Sequence, residues 1–160
     1  MQFLHVLTAI LWVGGGFYTL VVQLPALLAV PPPARGPVMA QIVPRQVRYI
    51  GRVADFTILT GFLNLIATQR AQQFLDPFGQ RWTIVLGLGI LLALVLLGLL
   101  HGVVEPAVRR MLEIGPKAAA GDAAAAAEMP KAIDRLRRLG IAQIVLAVLI
   151  VIAMVSARLS

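Results

Sequence analysis

Cysteine is absent from the chain, so it can build neither a disulfide framework nor a thiolate metal site. Charge is scarce: 13% of the 160 residues are Asp, Glu, Lys or Arg, against 59% hydrophobic residues. A soluble domain of that size has no interior large enough to bury so much apolar surface, so the solvent the sequence calls for is lipid. Histidine is reduced to His5 and His101, and five methionines complete the soft metal ligands. Several motifs are also missing. There is no HExxH, no nucleophile elbow, no phosphate-cradling glycine loop and no pair of carboxylates on one face. The net charge of +7 would suit nucleic acid in a soluble protein, but here the basic residues fall in the gaps between apolar runs. That distribution marks membrane topology and argues against a nucleic-acid partner.

Four apolar runs approach or exceed the ~20 residues needed to cross a bilayer. The expected fold is an all-α, four-helix transmembrane bundle forming one domain over residues 1–160, with spans near 3–30, 50–68, 82–104 and 139–156. The first run lacks a basic flank and continues through Trp12, Tyr18 and Gln23 to Pro25, which reads as a helix and not as a cleavable signal. Pro31, Pro32, Pro33, Gly36 and Pro37 should break the chain, leaving 31–49 as a loop with an interfacial segment. Asp76, Pro77 and Gly79 mark a short connection, and 105–138 reads as a second long loop. Its nearly all-Ala stretch from Lys117 to Glu128 has no apolar stripe and makes at best a marginal helix.

Basic residues set the orientation. Arg35, Arg45, Arg48, Arg52, Arg109, Arg110, Lys117, Lys131, Arg135, Arg137 and Arg138 flank the two long loops, against Arg70, Arg81 and Arg158 on the other side. The long loops are therefore expected inside and both termini outside. Arg52, Asp55 and Asn64, within or beside the second span, should face protein and not lipid.

The chemistry turns on the two histidines. His5 shares a helical face with Thr8, Trp12, Gly15, Thr19 and Gln23, the face expected to turn inward. Its ligand role stands level with a plainer reading, in which Gly14, Gly15 and Gly16 permit close packing and His5 sits in interfacial water. Met154 is the one methionine within a span and the candidate second ligand near His5, with packing as its plainer role. Thr68, Gln69 and Trp82 are expected at the same level. His101 lies near the other end of its span, beside Gln23, Arg52, Asp55 and Gln143. Asp55 could hold the imidazole as a partner or pair with Arg52 or Arg48. Because the first and third spans run in the same direction, His5 and His101 are expected on the order of 20 Å apart in depth, too far to share one haem.

Leu4-His5-Val6 followed by Leu11-Trp12-Val13-Gly14-Gly15, then Arg45-Gln46-Val47-Arg48 and Leu100-His101 with Arg109-Arg110, resembles a group of small bacterial membrane proteins. The group includes the copper-resistance D family and the four-helix membrane protoporphyrinogen oxidases. The resemblance implies a four-helix bundle in the bacterial plasma membrane. In the porphyrin-oxidising branch it implies a helix-one His and a helix-three Lys around a haem or porphyrin. His5 matches the first, whereas the third span has no Lys and only Arg81 at its entrance. Arg cannot replace a Lys that ligates or exchanges a proton, so the reading leans towards a non-enzymatic protein.

Three functions follow. The first is binding of b-type haem or a related tetrapyrrole through His5 or His101, for electron transfer, haem handling or complex assembly. The second is transport of copper or another small ion, and the third is a cofactor-free subunit of a larger membrane complex. The expected surroundings are the lipid bilayer and either a larger complex or a homo-oligomer.

Overall fold

The computed structural model describes residues 1–68 and 81–159, and among them the elements are helical without a strand. Four continuous helices make the fold: α1 (Gln2–Ala29), α2 (Pro32–Ala67), α3 (Arg81–Ala119) and α4 (Ala123–Leu159). Each is long and apolar enough to cross a membrane, and the chain is a multi-pass membrane protein built as an all-α four-helix bundle. α1 pairs mainly with α2 and α3 with α4, while α2–α3 and α1–α4 contacts close the bundle. A layer of Trp12, Ala54, Leu96, Leu100 and Ala147 draws on all four helices, and Leu27, Val43, Val108 and Met111 form a second cluster towards the Pro31 end. Outside, Phe3, Ile10, Phe56, Leu91 and Ile152 are more than half exposed, as suits a surface wetted by hydrocarbon.

The helices are longer than the sequence suggests. The stretch 31–49, expected as a loop, is helical from Pro32 and runs unbroken into the second span. Pro32 and Pro33 occupy the first turn, where no intrahelical N–H is needed. Pro37 and Pro44 lie farther in, and the helix carries on through both because Val43 and Ala54 are held in the core. Arg35 closes the tight α1–α2 turn by donating to the carbonyls of Leu28 at 2.7 Å and Val30 at 3.1 Å. A cation there also complements the negative end of the α1 dipole.

The second expected loop, 105–138, is likewise helical except at one turn. Gly121 takes a φ of +90°, a conformation glycine adopts without a steric penalty, and ends α3. The Asp122 carboxylate then accepts from the backbone N–H groups of Ala124 at 2.9 Å and Ala125 at 3.0 Å, capping α4. An Arg110–Glu128 pair bridges the two helices with nitrogen–oxygen distances of 2.9 and 2.8 Å. The marginal Ala stretch is thus fixed by its cap and by packing against α3, where Met111 and Ile114 are buried.

Two π turns, Thr19–Gln23 in α1 and Leu100–Val104 in α3, each end two residues before a proline, Pro25 and Pro106. A proline ring collides with the carbonyl four residues back, here Val21 and Gly102, and both lie within the widened turns. Pro106 does not end its helix. Instead α3 widens and continues, with His101 inside the π turn.

Candidate functional site

His5 lies against α2. Its Nδ1 is 3.0 Å from the backbone carbonyl of Thr57. A carbonyl only accepts, so Nδ1–H is the donor, and the neutral ring keeps its lone pair on Nε2. The approach depends on Gly61: a Cβ built there would lie 2.9 Å from His5 Cε1 and 3.2 Å from Nδ1. Thr8, one turn along α1, meets Thr60 with their hydroxyl oxygens 3.4 Å apart. Trp12 is buried, Gly15 abuts Ile50, and Thr19 and Gln23 both engage Gln46. All six residues of the expected stripe therefore meet α2 or the core.

His5 lines a cavity of about 480 Å³ in the half of the bundle nearest Met1. All four helices contribute to its wall: Trp12 from α1, Thr57, Gly61 and Leu65 from α2, Trp82, Leu86 and Ile90 from α3, and Ile150 and Met154 from α4. Apart from His5 and a few hydroxyl and amide groups, the wall is hydrocarbon and aromatic. That composition and size match small-molecule and cofactor sites, which run from ~300 to ~1,000 Å³. Gly89 lets Met154 settle against α3, since a Cβ there would meet the Met154 methyl at 3.1 Å. Thr68 is also in the wall, whereas Gln69 and the connection holding Arg70, Asp76, Pro77 and Gly79 lie outside the described residues.

A smaller cavity of about 180 Å³ lies on the other side of Trp12, Val13 and Leu96, which belong to both walls. It holds Gln23 and Gln143, expected from sequence beside His101, together with Gln46 and Thr19. Gln23 donates to Gln46, Gln46 to Thr19, and the Thr19 hydroxyl to the Gly15 carbonyl at 2.7 Å. Of the α1 glycines, Gly15 packs closely on Ile50 and Gly16 lines the smaller cavity. The space beside His5 is opened by Gly61 instead.

His101 sits in neither cavity. Its Nε2 is 3.0 Å from Asp55 Oδ1 and its Nδ1 is 2.9 Å from Glu105 Oε1. With both carboxylates ionised they only accept, so both ring nitrogens donate and no lone pair is left for a metal. This arrangement does not suit the ligand role considered for His101. Asp55 contacts His101, and not Arg52 or Arg48. Glu105 also faces Arg109 at 3.8 Å. Gly51 makes the approach close, since a Cβ there would stand 3.5 Å from His101 Cε1 and 3.3 Å from Glu105 Oε1. Measured along α2, His5 lies at Thr57 and Gly61 and His101 at Gly51 and Asp55. Those levels are about six residues, or about 9 Å, apart in depth and not 20 Å. The two histidines are kept from sharing a ligand by what occupies the ring nitrogens of His101.

Sequence reasoning missed Thr57, Gly61, Gln46 and Glu105. Glu105 was open to detection, because it follows His101 by four residues and so shares its helical face. Among the described residues no group of three or more His, Asp or Glu side chains is arranged to hold a metal ion. Comparison with protein-family models, curated proteins and solved structures finds no match to the chain.

Proposed function

We propose that this membrane protein binds b-type haem or a related tetrapyrrole in the larger of the two cavities, where His5 Nε2 would hold it. The observation that supports this is the setting of His5. Its Nδ1–H is anchored on the Thr57 carbonyl at 3.0 Å beside an apolar cavity of about 480 Å³. A ligating histidine is commonly held by its other nitrogen in this way, which fixes the tautomer and raises the basicity of the ligating atom. A bound haem would supply one-electron chemistry. The chain would contribute the ligand, the aromatic sides at Trp12 and Trp82, and an apolar wall that keeps water away.

In this reading the chain works in electron transfer, haem handling or complex assembly, without catalysing porphyrin oxidation itself. It sits in a bacterial plasma membrane with both termini outside, the orientation given by the basic residues. The resemblance carried by Leu4-His5-Val6 points to the same ligand class. The test is the reduced-minus-oxidised absorption spectrum of protein purified after expression with ample haem. A b-type band is expected, and its absence would overturn the proposal.

A second reading, a Cu(I) site, draws on His5 and Met154 as lining residues of one cavity. Metal analysis of the same preparation separates the two readings: copper without a haem band would favour the second.

A further inference from the structure

The expectation that Arg52 and Asp55 face protein is not met within one chain. Asp55 is 59% exposed and His101 39% exposed on the outer surface where α2 meets α3, away from both cavities. Arg52 is exposed as well, with no hydrogen-bond or ion-pair partner among the described residues. Asp55 lies twelve residues, about 18 Å, from the end of α2 at Ala67, well within a hydrocarbon layer ~30 Å thick. Ionisable groups at that depth face a bundle interior, a water-filled cavity or another protein. With no interior of this bundle covering them, another protein surface must.

We propose that this face is the contact between two copies of the chain, related by a two-fold axis along the membrane normal. Charge complementarity selects the occupant. Arg52 and Arg109 carry positive charge and Asp55 and Glu105 negative, so the patch bears both signs side by side. A self-paired surface needs that, since every residue must find its complement on an identical patch. A two-fold along the normal also keeps equivalent residues at equal depth. Arg52 and Asp55 differ by three residues, about 4.5 Å of rise, a step the long Arg side chain spans, so each Arg52 comes within reach of the partner copy's Asp55. The backbone allows a close approach beside the charges. Gly98 and Gly102, four residues apart and flanking His101, are both exposed, with open space where a Cβ would stand. Small residues at that spacing let two membrane helices approach closely. The inference is independent of what the cavity beside His5 binds.

The absence of cysteine makes the test clean. Gly98→Cys and Leu91→Cys on α3, oxidised in native membranes, are expected to give a disulfide-linked dimer of the 17.2 kDa chain. Val148→Cys on α4, 49% exposed, is the control expected to stay monomeric. Added to Gly98→Cys, Arg52→Asp alone and Asp55→Arg alone should each lower the dimer yield at least tenfold. Co-expressing those two variants should restore it, which also shows that both fold. The proposal is overturned by no dimer from either α3 cysteine, by equal cross-linking at Val148→Cys, by cross-linking to another polypeptide instead, or by charge variants that leave the yield unchanged.

Discussion

Replacing Gly61 by Ala is the sharpest perturbation of the His5 site that leaves the ligand in place. The added methyl would stand 2.9 Å from His5 Cε1 and 3.2 Å from Nδ1, so the ring must shift by about half an ångström to reach ordinary contact. The 3.0 Å bond from Nδ1–H to Thr57 is stretched or lost as it moves. A hydrogen bond of that kind is worth about 1 kcal/mol, while Gly→Ala within a helix returns up to about 1 kcal/mol. The two nearly cancel, so unfolding stability should change by less than about 1 kcal/mol. Ligand binding has no such compensation. Loss of the partner that orients a ligating His weakens binding by about 10- to 100-fold. The assay is haem titration of the apoprotein in detergent, followed by absorbance, with Gly14→Ala as control because nothing lies within 4 Å of a Cβ built there. Wild-type affinity in Gly61→Ala would refute the reasoning.

Three other predictions follow from separate parts of the molecule. Asp122→Ala removes the two hydrogen bonds that cap α4 and should cost about 1 kcal/mol, read as a lowered thermal midpoint; an unchanged midpoint would show that the cap is idle. Met154→Leu should leave the haem spectrum in place, because Met154 packs against Gly89; a lost or shifted band would show that its sulfur holds the ligand. A cysteine at Gln2 should react with a membrane-impermeant thiol reagent on intact cells, and one at Ala120 only after permeabilisation. The opposite pattern would invert the orientation.

The four spans were legible because each needs only length and apolarity, which uniform runs such as 82–104 supply without ambiguity. The interior face of α1 was legible for a similar reason: His5, Thr8, Trp12, Gly15, Thr19 and Gln23 follow helical spacing, and each meets α2 or the core. Helix ends were not legible. Proline clusters read as breaks, but Pro32 and Pro33 fall in a first turn, and Pro37, Pro44, Pro116 and Pro130 lie within helices that continue through them. Relative depth was not legible either. Counting residues from span ends assumes that the helices begin level, and the contacts of His5 and His101 along α2 show that these do not. The floor under His5 was also hidden, because Gly61 has no side chain for a pattern to register.

That His5 carries a ligand and His101 does not is tested most directly by parallel haem titrations of the wild type, His5→Ala and His101→Ala. One haem per chain is expected in the wild type and in His101→Ala, and loss of the b-type band in His5→Ala. A band that survives removal of His5, or one that disappears with His101 alone, would contradict it.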